Sequence, residues 1–175
     1  VATGGVYKEN TLVSEDVLKI IKNTGLEESL DLMNPVINEI PAAPLIASNL
    51  SGKPVSLAKI MSAFEILNKK YESLVVEGIG GILVPITKDC QVIDLIKEFK
   101  LPVVIVTRAI LGTINHTALT AKVLKDAGIP VIGIMVSHTC DVNPGTPVTS
   151  SFEVIKNMTG LPIIKEFKYE KTWNE

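Results

Sequence analysis

Four short and almost uninterrupted apolar runs constrain this chain more than any other feature: residues 74–76 (LVV), 101–107 (LPVVIVT), 129–136 (IPVIGIMV) and 161–164 (LPII). A strand with one face in water alternates apolar and polar residues, whereas a strand covered on both faces does not. The segments between the runs carry a helical period instead. Leu57, Ile60, Met61, Phe64 and Leu67 recur at three- and four-residue spacing, and similar patterns return over residues 92–99, 113–127 and 148–158. Gly128 and Gly160 stand where the last two of these helices would stop. Strands alternating with helices in this way predict right-handed crossovers. The expected fold class is therefore α/β, a doubly wound and mostly parallel sheet with helices on both faces.

The N-terminal part is less regular. Residues 14–22 read as a helix with Ser14 as its N-cap, and residues 34–54, with four prolines, read as an extended loop region. At 175 residues and 46% hydrophobic content the chain has the length of a single domain with a real core. Its net charge of -2 comes from interspersed acids and bases, which argues against nucleic acid or a membrane surface as partner. The apolar runs are too short to span a bilayer, and residues 1–5 lack the charged lead-in of a signal peptide. Cys90 and Cys140 are far apart and outside any C-x-x-C pattern, so a reduced, cytoplasmic setting is expected.

In open parallel sheets ligands bind beyond the carboxyl ends of the strands. That rule selects three places. At Glu77-Gly78-Ile79-Gly80-Gly81 a carboxylate adjoins glycines whose N–H groups are sterically open to a metal or polar ligand, although a tight turn with a solvated Glu fits the same residues. At residues 107–116 (TRAILGTINH), Gly112 and Thr113 precede a helix whose first N–H groups would attract a carboxylate; Thr113 as an N-cap and Asn115 as a surface residue are the plainer alternatives. Residues 137–145 (SHTCDVNPG) are polar and turn-rich, as a ligand loop would be, but lack the spaced ligands of a metal site. Asp16, near the start of the first helix, is accounted for by the helix dipole alone. No G-x-x-x-x-G-K-[ST] phosphate loop occurs in these 175 residues.

Residues 74–85 (LVVEGIGGILVP) resemble the V-E-G-A-G-G-x-x-x-P segment of dethiobiotin synthases, and residues 101–120 (LPVVIVTRAILGTINHTALT) resemble the same family's L-G-[TC]-I-N-H segment. Residues 41–47 (PAAPLIA) are similar to its proline-rich loop, and residues 1–4 (VATG) to its V-x-[ST]-G segment. The resemblance implies a fold like that of P-loop NTPases. It implies ATP- and magnesium-dependent carboxylation of 7,8-diaminopelargonate with CO2 and closure of a cyclic urea, giving dethiobiotin in biotin synthesis. By the same resemblance Asp16 and Glu77 would bind Mg2+. Thr3, Gly78, Gly80 and Gly81 would line the diamine site. Gly112, Thr113 and Asn115 would bind the substrate carboxylate from the partner subunit of a homodimer, and Ser137 would stand at the nucleotide base. No residue is assigned the chemical step itself. The family's first strand and phosphate loop would precede Val1, so residues 1–175 are expected to form one N-terminally truncated domain without the P-loop strand. Ser137 replaces the family's usual Asn, and Lys165-Glu166-Phe167-Lys168 its G-x-[IL]-P. These departures leave a second expectation, a family-derived binding or interaction module without catalysis.

Overall fold

The computed structural model describes residues 1–140 and 147–170, which fall into two compact units, Val1–Phe99 and Lys100–Glu175. The first unit opens with β1 (Ala2–Thr3), β2 (Val6–Lys8) and β3 (Thr11–Val13). β2 and β3 form an antiparallel hairpin turning on Glu9 and Asn10, both at positive φ (49° and 66°), the twist a two-residue hairpin turn requires. Helix α1 (Glu15–Thr24) follows. Ser14 holds the extended N-cap backbone without a side-chain cap bond, and its carbonyl accepts the Leu18 N–H at 3.1 Å. Gly25, at φ 67°, ends the helix in the left-handed conformation that spares glycine a Cβ clash.

After the short helix α2 (Leu30–Met33), β4 (Ile37–Asn38) pairs in parallel with β1, setting Ala2 against Ile37 and Thr3 against Asn38. Residues 34–54 are not the extended loop their prolines predict. Pro44 opens helix α3 (Pro44–Ser51) at the first helical turn, where the missing N–H has no intrahelical acceptor and the fixed φ is already helical. Helix α4 (Leu57–Lys70) runs as its periodicity predicts, with the Ser56 hydroxyl accepting the Lys59 N–H at 3.3 Å and Ile60 and Ala63 buried. At its far end Glu28 accepts from Lys70 Nζ at 2.7 Å, from the Tyr71 hydroxyl at 2.9 Å and from the Ser29 N–H at 2.8 Å.

The apolar run at residues 74–76 does not form the expected strand. Its backbone joins no ladder, and Val75 is 93% exposed. An extended segment becomes a strand only when a neighbour takes up its N–H and C=O groups, and among the described residues none does. The chain then forms β5 (Pro85–Thr87) and β6 (Cys90–Gln91), an antiparallel pair, and helix α5 (Val92–Phe99). Ile86, Cys90 and Val92 make a buried cluster against which Val55, Leu57, Ile79, Val84, Leu95 and Ile96 pack.

The second unit is the part of the α/β fold in which parallel strands and helices alternate most regularly. β7 (Val103–Arg108), α6 (Thr113–Asp126), β8 (Val131–Ser137), α7 (Pro147–Thr159) and β9 (Ile163–Phe167) follow one another, and the sheet order β7-β8-β9 is parallel throughout. α6 ends with the Gly128 N–H on Lys125 O and the Ile129 N–H on Leu124 O, both at 3.0 Å, with Gly128 at φ 68°. That is the paired bond of a Schellman cap. The core joins Ile105, Ile134 and Val136 of the sheet to Ala121 and Leu124 of α6 and Phe152 and Ile155 of α7, all buried. No helix among the described residues is long and apolar enough to cross a membrane.

Candidate functional site

Within the first unit two of the residues singled out by sequence, Thr3 and Gly80, line an open cavity of about 360 Å³ together with Pro41, Ala42, Ala43, Ile79 and Val84. Each wall has a local cause. Thr3 ends β1 and is fixed by its register with Asn38. Gly4, at φ 71°, lets Pro41 come so close that a Cβ on Gly4 would lie 3.3 Å from the Pro41 Cβ. Ile79 and Val84 are anchored in the cluster of Ile86, Cys90 and Val92, and the Val84 N–H donates to Gly81 O at 3.0 Å. Between them Gly80 turns at φ 68°, a conformation L side chains resist. The lining is mostly apolar, with Thr3 as a polar residue among it, which suits an aliphatic chain carrying polar ends.

Thr3 and Gly80 are thus brought together, as the sequence reading expected of diamine-site residues. Gly78 lies beside them in sequence, where a Cβ would meet Val92 Cγ1 at 3.2 Å; a Cβ on Gly81 would meet nothing. Glu77 is exposed and makes no hydrogen bond or ion pair among the described residues. Asp16 is exposed on the first turn of α1, with a 3.9 Å ion pair to Lys19. Among the described residues no three His, Cys, Asp or Glu side chains cluster as a metal cage. Magnesium does not need one, since it commonly binds through one or two carboxylates, with water and phosphate completing the octahedron. A solvent-facing carboxylate at Glu77 fits that requirement.

Sequence reasoning matched residues 41–47 to the family's proline-rich loop without assigning Pro41, Ala42 or Ala43 to the site, and it missed Asn38, which is bonded to the chain leading into that loop. The two closely spaced prolines, Pro41 and Pro44, were a signal of a rigid corner, but not of its facing a cavity. Asn38 is 8% exposed and its side chain is fully engaged. Its Nδ2 donates to Ser51 Oγ at 2.7 Å and to Ala47 O at 3.3 Å, and its Oδ1 accepts the Ile40 N–H at 3.0 Å.

In the second unit Gly112, Thr113 and Asn115 lie where the sequence placed them, at the start of α6. Gly112 is the N-cap at φ 92°, and the Thr113 N–H is already used by Ile110 O at 3.2 Å. The Ile114 and Asn115 N–H groups belong to the first turn, where a helix has no acceptors of its own, and the Asn115 side chain is exposed beside them. The Thr113 side chain faces inward: its hydroxyl, like that of Thr117, lies 2.7 Å from the Thr107 hydroxyl, and all three residues are buried. Thr113 therefore offers this site position rather than a free hydroxyl. Ser137 ends β8 half-buried, its carbonyl accepting the Ala109 N–H at 3.2 Å. The next residue, His138, places Nε2 2.6 Å from Glu166 Oε1 and sets its ring edge-on to Phe152. The rest of the loop read from 137–145 lies largely outside the described residues.

Comparison with known proteins matches residues 6–175 to the AAA domain family. The ATP-dependent dethiobiotin synthetase of Methanocaldococcus jannaschii is 41% identical over 168 residues, covering 94% of this chain and 75% of that protein. That of Thermodesulfovibrio yellowstonii is 36% identical over 176 residues, covering 97% and 73%. That of Bacillus subtilis is 35% identical over 160 residues, covering 91% and 68%.

Proposed function

This chain belongs to the ATP-dependent dethiobiotin synthetase family, and from that premise we propose that it makes dethiobiotin in biotin biosynthesis. The substrates are 7,8-diaminopelargonate, CO2 and ATP. CO2 joins one amine as a carbamate, and a carbamate oxygen takes the terminal phosphoryl group of ATP. The second amine then attacks the activated carbonyl, which expels phosphate and closes the cyclic urea. Catalysis of this kind consists largely of holding the reacting groups in line and neutralising phosphate charge.

The observation that carries the assignment to particular residues is the cavity uniting Thr3 with Gly80. Its apolar walls suit the methylene chain of the diamine, and the Thr3 hydroxyl can accept from an amine. Gly78 and Gly81 complete the backbone lining. Glu77, with Asp16 as a second acid, is the candidate holder of Mg2+, which when bound offsets the charge of the transferring phosphoryl group. Gly112, Thr113 and Asn115 are assigned to the substrate carboxylate, reached from the partner copy in a homodimer, and Ser137 to the nucleotide base. A cytoplasmic location follows from the same reading.

Calorimetric titration tests it. Binding of 7,8-diaminopelargonate that is weakened by Thr3→Val supports the cavity as the diamine site. Binding of the diamine unchanged by Thr3→Val removes that assignment, and absence of diamine binding favours a family-derived binding module without catalysis.

A further inference from the structure

We propose that Asn38 is a positioning residue for the diamine, setting the Pro41–Ala43 wall of the cavity against Thr3; this rests on the reading of that cavity as the substrate site. Asn38 faces Thr3 in the parallel ladder of β1 and β4, and its own carbonyl accepts the Gly5 N–H at 3.0 Å. Its side chain divides into two halves with different work. The Nδ2 half reaches Ser51 Oγ and Ala47 O and ties β4 to helix α3. The Oδ1 half accepts the N–H of Ile40, two residues on, an Asx-type turn that draws the chain back on itself.

That turn aims the Ile40 carbonyl. It receives the Gly4 N–H of the β1 edge at 3.3 Å and the Ala42 N–H at 2.9 Å, so one oxygen joins the strand that carries Thr3 to the corner that carries the wall. The Ala42 bond closes a three-residue turn around Pro41, whose fixed φ leaves the corner few other shapes. Without the Oδ1 acceptor, the Ile40 N–H is unpaired and the corner is free to open away from Gly4. The distance between Thr3 and Pro41 then ceases to be set before the substrate arrives, and ordering it is charged against binding.

The two halves of the side chain make the proposal separable from a plain loss of stability. Ser51→Ala removes the stronger of the two α3 ties, together with that hydroxyl's bonds to Ser48 O and the Lys53 N–H, and leaves the Ala47 O tie and the Ile40 acceptor in place. Asn38→Asp keeps the acceptor for Ile40, and Asn38→Leu removes both halves at similar volume. Calorimetry with 7,8-diaminopelargonate, thermal unfolding and amide hydrogen exchange at Ile40 and Ala42 are measured on each variant. Asn38→Leu should weaken diamine binding by about tenfold or more and speed exchange at Ile40 and Ala42. Ser51→Ala should lower the melting temperature yet keep diamine affinity within about twofold, and Asn38→Asp should recover most of the affinity lost in Asn38→Leu. Wild-type affinity in folded Asn38→Leu overturns the proposal, as does affinity that merely tracks melting temperature across the series. If Asn38→Leu does not fold, Asn38→Ala, which also removes the Oδ1 acceptor, takes its place: wild-type affinity in that variant, or exchange at Ile40 and Ala42 no faster than wild type, overturns the proposal. If the wild-type chain does not bind the diamine while exchange at Ile40 and Ala42 still responds to Asn38→Leu and not to Ser51→Ala, the substrate reading fails and the positioning of the wall stands.

Discussion

Gly133, in the middle of β8, is a residue whose smallness the sheet depends on. Its φ is not positive, so alanine is conformationally allowed there and the only objection is space. A Cβ on Gly133 would lie 2.7 Å from Ile164 Cγ2 and 2.8 Å from Pro162 O. The isoleucine methyl can turn aside. The carbonyl cannot move freely, because it accepts the Ile134 N–H at 2.8 Å in the contact that starts the β8–β9 pairing. Restoring an ordinary contact means moving that oxygen by about 0.5 Å, which takes the hydrogen bond to the edge of its working range. Overpacking of this kind costs about 1–3 kcal/mol and the weakened bond up to about 1 kcal/mol more. Alanine returns about 0.4–1 kcal/mol by narrowing the unfolded ensemble. Gly133→Ala should therefore destabilise the Lys100–Glu175 unit by about 1–3 kcal/mol. The assay is urea unfolding followed by circular dichroism, with amide exchange at Ile134 reporting the strained bond. Gly160→Ala is the contrasting case: Gly160 has φ 69° and open space around it, so that variant should lose only the left-handed preference, about 1 kcal/mol, and leave Ile134 exchange alone. A Gly133→Ala protein with wild-type unfolding and wild-type Ile134 exchange would refute the steric argument.

The hydrogen bond from Lys70, then those from the Ser29 N–H and the Tyr71 hydroxyl, hold the Glu28 carboxyl down to about 2 from an ordinary 4.5. Its stabilising contribution is then complete above the ordinary value and is lost as pH falls toward about 2. Glu28→Gln should melt below wild type at neutral pH, and the gap should close across that acid window; a gap of constant size would contradict the assignment. Thr107→Val leaves the buried Thr113 and Thr117 hydroxyls without their shared partner and should cost about 2–4 kcal/mol in unfolding experiments, while Thr107→Ser should cost under about 1.5 kcal/mol. A Thr107→Val protein as stable as wild type would refute the role of the Thr107 hydroxyl. Asn115→Ala should weaken diamine binding by an amount on the order of 1–3 kcal/mol, read by calorimetry, through loss of a contact to the carboxylate; unchanged affinity removes Asn115 from that role.

Much of this protein was legible in its sequence wherever the information is local. β7, α6, β8, α7 and β9 were readable because each strand is a continuous apolar run and each helix carries its own period and stop signal, down to Gly128. The family motifs marked Gly80 and Gly112 as site positions, and only the structure shows that both hold positive φ. Tertiary structure decided the rest. The run at residues 74–76 has the composition of a buried strand, yet strand pairing belongs to two segments at once, and the described chain provides no partner there. Pro44 reads as a helix breaker in isolation and becomes a helix start because three residues of loop deliver it at the first turn. The inward turn of the Thr113 hydroxyl depends on Thr107, six residues earlier on another element, and the cavity depends on Asn38 meeting Ser51 and Ile40 at once. Sequence alone determined which segments can be helices and strands and which family chemistry they serve. Only the fold could decide which polar atoms are consumed in holding the walls and which are left to meet a substrate, because that depends on partners that sequence proximity does not reveal.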